Sequence, residues 1–181
     1  FDNGWRNVVD FRQASDSSYF EDLGGSLSVS SITHLNRSVV FDYYGRHWSL
    51  FARLQDYQTI DDTLAPVDEP YRRLPQVRVN GLWADGPLGL AYGLDGELVY
   101  FDRDVGTTGW RADVAPWVEW SLEQAGWFVT PGVTLEHTRY QLDRDVPGAP
   151  ERPDRTLPIA SLDSGLILER RIGGGDWLQT L

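Results

Sequence analysis

Residues 76–95 decide the fold of this chain, and they read QVRVNGLWADGPLGLAYGLD. Apolar residues Val77, Val79 and Trp83 alternate with polar ones ahead of the dipeptide Asp85-Gly86. Asp-Gly between two alternating segments is a strong hairpin signal, because glycine reaches the positive φ that the turn needs. Period-two alternation places successive side chains on opposite sides of a strand. The stretch therefore predicts a β-hairpin with one apolar and one polar face.

The same alternation continues along the chain and predicts further strands. We expect strands at about 5–13, 33–44, 47–60, 76–84, 88–102, 110–122, 127–142 and 159–170, with a ninth starting at Trp177. Several of these exceed ten residues, whereas strands of soluble proteins are mostly about 5–6 residues long. A tilted strand that crosses a bilayer needs about 9–11 residues.

The predicted connections alternate between short and long. The short ones are Gly45-Arg46, Asp85-Gly86, 124–126 and 173–175, and the long ones are 14–31, 61–75, 103–109 and 143–158. Short turns at one end and long loops at the other are typical of outer-membrane barrels. The sequence therefore predicts an all-β fold, an antiparallel up-and-down transmembrane β-barrel. A secreted β-sandwich binding module with long loops is the alternative.

Composition narrows the function classes. The net charge of −11 and a pI near 4.6 argue against a nucleic-acid partner. The absence of cysteine excludes disulfides and thiolate metal sites within the chain. The chain contains no run of 18 apolar residues, so no membrane-spanning helix is predicted. This does not argue against a barrel, because only every second residue of a barrel strand needs to be apolar. The eight Trp and eight Tyr favour the headgroup level of a bilayer.

The ends of the chain also lead to an expectation. It starts at Phe1, contains no methionine, and stops at Leu181 within the predicted ninth strand. We expect a segment of a longer polypeptide. Nine strands do not close an even-stranded bacterial barrel, so the isolated chain is expected to aggregate through unpaired edges.

Three motifs in the chain point to a family. Residues 15–23 read SDSSYFEDL, which places Asp16, Tyr19, Phe20 and Asp22 in a loop after the first strand. Residues 71–76 read YRRLPQ, and LILER at 166–170 is followed by QTL at 179–181. The three motifs and their order along the chain resemble those of the LPS-assembly protein LptD family, also called OstA or Imp.

The resemblance implies more than the alternation does. Residues 1–181 would be the middle part of a barrel of about 26 strands, and the family's N-terminal periplasmic jellyroll is not in this chain. Such proteins transport lipopolysaccharide and assemble it into the outer leaflet of the Gram-negative outer membrane. The partners implied are an LptE-type lipoprotein plug, an LptA-type periplasmic bridge reached through the jellyroll, and outer-membrane lipid. No covalent step and no cofactor are implied, so the chain is not expected to be an enzyme.

Charged side chains on the predicted lumen side are candidates for contact with the plug or with lipopolysaccharide. They are Arg53, Arg78, Asp95, Glu97, Arg111, Asp113, Glu119 and Glu136. A solvated barrel interior is the simpler interpretation. Phe51, Trp117 and Phe128 are expected on the same side, where apolar rings facing water are unfavourable and a plug would cover them. A β-bulge would instead change which side they face.

Other candidate sites are weaker. The histidines His34, His47 and His137 show no metal-ligand or catalytic spacing. A barrel phospholipase would need serine, histidine and an orienting group together on the outer face, but His34 is predicted to face the lumen.

The loops offer two further interpretations. The motif residues Asp16, Tyr19, Phe20 and Asp22 are predicted to lock the long loop through Asx-type hydrogen bonds and ring packing. The acidic loops are most simply solvated, and divalent-cation binding is the alternative, without calcium-loop spacing. A passive porin-like or adhesion barrel remains the alternative function.

Overall fold

The computed structural model describes residues 4–16, 33–143, 150–171 and 178–180. Its strands are β1 (Trp5–Phe11), β2 (His34–Tyr44), β3 (Trp48–Thr59), β4 (Arg72–Trp83), β5 (Leu90–Asp102), β6 (Thr108–Trp120), β7 (Leu122–Gln124), β8 (Trp127–Asp143), β9 (Asp154–Leu166), β10 (Glu169–Arg171) and β11 (Leu178–Thr180). Two 3-10 turns, Pro66–Asp68 and Pro87–Gly89, precede β4 and β5. Across the described ranges, no helix has the length and apolar character needed to cross a membrane.

Strands β1 to β9 form one antiparallel sheet in which the chain runs up and down. β8 pairs with β6 and β7 along one edge and with β9 along the other. β10 and β11 form a separate two-stranded sheet. The all-β, antiparallel up-and-down architecture predicted from the sequence is confirmed.

The large sheet is a single layer in the described part of the chain. Strand pairs in substantial contact are all hydrogen-bonded neighbours. Leu50 and Leu90 are only half-buried, and Val118 is 38% exposed. A β-sandwich would bury these side chains against a second sheet. The described residues therefore do not form the sandwich that was the alternative.

Some predicted boundaries are wrong. β4 begins at Arg72 rather than 76, and β9 begins at Asp154 rather than 159 and ends at Leu166 rather than 170. Prolines and charged residues at these strand starts mask the pattern, yet pairing with β5 and β8 extends both strands. Leu88, predicted within the fifth strand, lies in the turn with φ 63° and is 87% exposed. The predicted turn at 173–175 and Trp177 lie outside the described residues.

A bulge on β4 sets which side chains share a face. Between Arg73 and Gln76 the register with β5 shifts, so Leu74 and Pro75 stand opposite a single residue of β5. Arg73 and Gln76 consequently point to the same side although they are three positions apart. Proline is tolerated at such bulges because a ladder hydrogen bond is already missing there. The bulge therefore adds Arg73 to the face that carries Gln76.

Gly93 on β5 allows close packing across three strands. A Cβ atom at this position would lie 2.5 Å from the Gly81 carbonyl oxygen and 2.5 Å from the ring of Trp117. The Trp117 ring therefore comes close to the backbone of β5 only because residue 93 has no side chain. At Gly96, three residues further along β5, the nearest atoms to such a Cβ are 3.8 Å away.

We expect Gly93→Ala to lower the free energy of unfolding by about 1–3 kcal/mol, because a backbone carbonyl and an indole ring must both move. The matched control is Gly96→Ala, on the same strand but with ordinary van der Waals space. Denaturant unfolding of the protein, followed by tryptophan fluorescence, measures the difference. Equal losses in both variants would contradict the packing argument.

Candidate functional site

The large sheet has two chemically different faces. Directly paired residues point to the same side of a sheet, so the register assigns each side chain to a face. One face, which we call the polar face, carries all eight charged residues singled out in the sequence: Arg53 on β3, Arg78 on β4, Asp95 and Glu97 on β5, Arg111, Asp113 and Glu119 on β6, and Glu136 on β8. The opposite face, which we call the apolar face, carries Leu50, Val79, Leu98 and Val118, among others.

A chain of hydrogen bonds crosses the polar face from β3 to β6. Arg53 donates to Oε1 of Gln76 from Nε at 3.0 Å and from Nη2 at 2.5 Å. Gln76 donates to Glu97 at 2.5 Å, and Arg111 forms an ion pair with the other oxygen of that carboxylate. Gln76 is only 7% exposed. Its burial is tolerated because both ends of its amide are hydrogen-bonded.

A second chain of hydrogen bonds continues across the polar face from β4 to β1. Arg73 donates to Gln55 at 2.7 Å, Gln55 donates to Asn36 at 2.8 Å, and Asn36 donates to Asp10 at 3.0 Å. Together the two chains form what we call the polar belt: Asp10, Asn36, Gln55, Arg73, Arg53, Gln76, Glu97 and Arg111. The belt ties six neighbouring strands together through side chains as well as through the backbone.

Positive charge accumulates on part of this face. Arg53 and Arg73 donate to neutral amides, and the Arg78 guanidinium lies 4.3 Å from the centre of the Phe51 ring. The positive charges of Arg73 and Arg78 act on Arg53, and the nearby carboxylate of Glu97, which is paired with Arg111, opposes them. Among the described residues, no carboxylate forms an ion pair with any of these three arginines. The chain as a whole carries −11, so this local excess of positive charge stands out.

The remaining predicted residues have separate surroundings. Asn80 donates to Asp95 at 2.5 Å, and Thr138 donates to Asp113 at 2.5 Å. Glu119 lies over Gly132, where a Cβ atom would come within 3.0 Å of its Cγ. Glu136 lies on β8, directly opposite Leu157 of β9. The structure thus joins Arg53, Glu97 and Arg111 in one network and leaves the other five outside it.

The three rings expected on this side do lie on the polar face, but the sheet itself accommodates them. Phe51 is covered by the guanidinium groups of Arg78 and Arg53, the latter at 5.6 Å. Trp117 packs on Gly93, and Phe128 packs on Gly165, where a Cβ atom would come within 2.4 Å of the Phe128 ring. These rings therefore do not by themselves require a covering partner. Leu82 and Ile159, exposed by 52% and 41%, are the more open apolar side chains of this face.

Two long loops are fastened together at the end of the sheet. Arg103 lies 4.2 Å from the centre of the Tyr71 ring and donates to the Val67 carbonyl oxygen at 2.6 Å. The Tyr71 hydroxyl donates to the Thr107 carbonyl oxygen at 2.8 Å. These contacts hold the connection between β3 and β4 against that between β5 and β6.

Hydrogen bonding also orders the start of the β3–β4 loop. Asp61 accepts hydrogen bonds from the hydroxyl and the backbone N–H of Thr63, at 2.6 and 2.9 Å. These two bonds lower the pKa of the Asp61 carboxyl below its usual value, because they favour the charged form. Across the described ranges, no group of three or more His, Asp or Glu side chains is placed to hold a metal ion.

A glutamine that the sequence pattern does not single out fixes the entry to the first long loop. The side-chain amide of Gln58 accepts a hydrogen bond from the backbone N–H of Ala14 at 3.2 Å and donates one to the backbone carbonyl oxygen of Ala14 at 2.9 Å. Arg37 also donates to Gln58, at 2.7 Å. Of the predicted loop motif, Asp16 accepts a hydrogen bond from Ser15 at 3.1 Å. Tyr19, Phe20 and Asp22 lie outside the described residues.

The three histidines lie in different parts of the sheet. His34 contacts the Thr33 hydroxyl at 2.7 Å on the polar face. His47 lies in the β2–β3 turn and stacks on Trp83 with ring centres 6.2 Å apart. His137 lies on the apolar face and contacts the Thr156 hydroxyl at 2.8 Å. The three histidines therefore form no shared site.

Comparison with known proteins identifies the family. The family model described as "LptD: LPS transport system D" matches residues 1–181. The chain belongs to the LptD family. The resemblance seen in the sequence motifs is thereby confirmed.

Individual relatives agree with the family assignment. The chain is 42% identical over 181 residues to the LPS-assembly protein LptD of Nitrosococcus oceani, covering 98% of this chain and 24% of that protein. It is 40% identical over 190 residues to the protein of the same name from Alcanivorax borkumensis, covering 97% and 23%. For the Aromatoleum aromaticum protein the identity is 38% over 178 residues, covering 96% and 22%. The chain thus spans about a quarter of the length of these LptD relatives.

We expect Gln76→Leu to lower the free energy of unfolding by about 1–3 kcal/mol, because Arg53 and Glu97 each lose a partner at a buried position. Asn80→Leu, which removes one exposed hydrogen bond on the same strand, is the matched control and should change stability by less than about 1 kcal/mol. Denaturant midpoints of the full-length protein in vesicles provide the comparison. If the two variants were equally stable, the polar belt would have no structural role.

Proposed function

We propose that this chain is part of the membrane-spanning barrel of a lipopolysaccharide assembly protein of the outer membrane. The observation that carries the proposal is the exposed apolar face of a single-layer sheet whose other face is polar. Val9, Leu54, Val133 and Leu162 on the apolar face are exposed by 70%, 49%, 54% and 69%. Side chains of this kind are stable in contact with lipid and unfavourable in contact with water.

Aromatic side chains border the apolar face near both ends of the strands. Near the short turns they are Trp5, Tyr43, Trp48, Trp83, Tyr92, Trp120 and Trp127. Near the long loops, Tyr100 and Trp110 pair directly, with ring centres 5.1 Å apart. Two aromatic girdles around an apolar band are typical of barrels in the outer membrane, because the rings favour the headgroup level.

The position of the aromatic girdle near the short turns supports a tilt of the strands against the membrane normal. Tyr43 on β2 shares a register row with Val114 on β6, whereas the girdle residue of β6, Trp120, lies six residues further along. Six residues are about 20 Å along a strand, and the four strand spacings between β2 and β6 are about 19 Å. The two lengths correspond to a tilt of about 45° against the membrane normal, close to the 35–45° of transmembrane barrels.

The height of the apolar band supports the same proposal. From Trp110 to Trp120, β6 advances by ten residues, or about 33 Å at roughly 3.3 Å per residue. At a tilt of about 45° this spans about 23 Å across the bilayer, which matches the apolar band of about 25 Å in such barrels.

The names of the relatives supply the substrate of the proposed function. Proteins named LPS-assembly protein LptD match nearly the whole chain. We infer that residues 1–181 form one part of a larger barrel, which carries lipopolysaccharide to the outer leaflet as a conduit, without a covalent step. The polar face then lines the lumen. The cluster of Arg53, Arg73 and Arg78 on this face supports contact with an anionic surface of an LptE-type plug or with the phosphate groups of lipopolysaccharide, and an LptA-type bridge would deliver the substrate.

Adjacent residues of β6 test the membrane location. We expect a nitroxide label at Val114→Cys, on the apolar face, to be accessible to oxygen and shielded from a water-soluble nickel complex, because oxygen partitions into hydrocarbon. At Ala115→Cys, on the polar face, the order of the two accessibilities should be reversed. Electron paramagnetic resonance of the full-length protein in vesicles, on a cysteine-free background, measures both. The same accessibility pattern at both positions would refute a lipid-facing apolar face.

Depletion of the full-length protein in its host tests the function. We expect lipopolysaccharide at the cell surface to fall and to recover with the wild-type gene. Arg78→Glu should restore surface lipopolysaccharide poorly and reduce co-purification of the plug by at least about tenfold, because it places a negative charge within the arginine-rich part of the lumen.

The matched control for this experiment is Arg46→Glu, the same charge change in the β2–β3 turn. It should complement fully and retain the plug. Surface lipopolysaccharide that is unchanged after depletion would remove the proposed function. Full complementation by Arg78→Glu would remove only the role assigned to the polar face.

A further inference from the structure

The apolar face contains a groove with a cationic rim. The groove has a volume of about 380 Å³ and is lined by Leu98, Trp110, Ala112, Arg139, Tyr140 and Gln141. Leu98, Ala112 and Arg139 lie in one register row across β5, β6 and β8. The small side chain of Ala112 leaves the space between Leu98 and Arg139. The next register row toward the long loops contains Trp110 and Gln141, and it forms the wall of the groove on that side.

The groove lies where the apolar face changes to polar. Along the apolar face of β8, Leu135 is followed by His137, Arg139 and Gln141. Along β6, the same face still carries Val114, Ala112 and Trp110 in the paired rows. On strands tilted by about 45°, the residues of β8 stand higher than their register partners on β6. Arg139 is therefore at the headgroup level of the bilayer, and Leu98 is within its apolar part.

The rim offers the positive charge of Arg139, which stands opposite Asp154 of β9. Arg139 is exposed, and across the described ranges it forms no ion pair, including with its register partner Asp154. Arg139 therefore has hydrogen-bond donors available to an external anion, beside the amide of Gln141. An arginine fork binds phosphate oxygens in a bidentate manner.

We propose that this groove binds a lipopolysaccharide molecule of the outer leaflet, with a phosphate group on Arg139 and an acyl chain across Ala112 and Leu98. The inference rests on the proposed function, because that function sets which leaflet meets the long-loop end and which lipid is delivered there. The occupant is a lipid because the groove opens onto the face that contacts hydrocarbon. It is phosphorylated because the available polar group at the rim is a guanidinium.

The experiment uses the full-length protein with its plug, purified in detergent and titrated with short-chain lipopolysaccharide. Native mass spectrometry measures the fraction of protein with bound lipid. Arg139→Gln should weaken binding by about two- to fivefold, as for an exposed charge pair, and should not change binding of dephosphorylated lipopolysaccharide. Ala112→Leu, which fills the groove, should weaken binding of both lipids. The control Arg46→Gln makes the same charge change in the exposed β2–β3 turn, at the opposite end of the strands, and should bind like the wild type.

Equal binding by the Arg139→Gln and Arg46→Gln variants would overturn the inference, as would equal binding of phosphorylated and dephosphorylated lipid by the wild type. Equal competition by phosphatidylglycerol would overturn the assignment to lipopolysaccharide. The proposed function is tested separately by depletion. If depletion lowers surface lipopolysaccharide while Arg139→Gln retains lipid binding, only the groove inference fails.

Discussion

Backbone hydrogen bonding between neighbouring strands is the constraint on which the rest of this structure depends. Inside a bilayer, a strand is stable only when its N–H and C=O groups are paired with adjacent strands, because hydrocarbon offers no partners. From β2 to β8, every long strand pairs on both edges. Once the backbone is satisfied in this way, the side chains on the two faces are free to differ completely. One face can be apolar throughout its middle, and the other can carry charge.

The polar belt shows how the charged face remains compatible with a packed sheet. Buried amides such as Gln55 and Gln76 are stable because both ends of each amide are hydrogen-bonded across strands. The arginines of this face are not neutralised to the same degree, since Arg111 has a carboxylate partner while Arg53 and Arg73 have neutral ones. The amides of this face are hydrogen-bonded within the sheet, and the charges of Arg53 and Arg73 remain available to an anionic partner.

A sheet with two such faces suits the chemistry of the proposed substrate. Lipopolysaccharide is itself amphipathic, with acyl chains at one end and phosphorylated sugar at the other. On the proposed function, the polar face contacts hydrophilic parts in the lumen, and the groove at Arg139 contacts phosphate and acyl chain from outside. The two contacts lie on opposite sides of the same strands, because β6 carries Arg111 toward one face and Ala112 toward the other.

The alternation of residues determined most of the fold. It predicted the hairpin of β4 and β5, the up-and-down order, and the face of each of the eight charged candidates, because side-chain direction in a regular strand depends only on position parity. The two-residue turn predicted at Asp85-Gly86 is wrong, since the connection runs over residues 84–89 and Gly86 has a φ of −73°. The family followed from short motifs, and comparison confirmed it. Parity could not reveal the bulge at Leu74 and Pro75, which brings Arg73 to the polar face.

Only the tertiary structure decided the contacts between strands. The partners of Gln76 and Gln58 come from residues 21 to 44 positions away in the chain, so no local pattern contains them. The groove beside Arg139 likewise needs Leu98 and Ala112 from two other strands in one register row. Register, which sequence alone specifies weakly, sets which distant side chains meet. The alternation of residues therefore determined on which face a strand side chain lies, and strand pairing determined which side chains meet on that face.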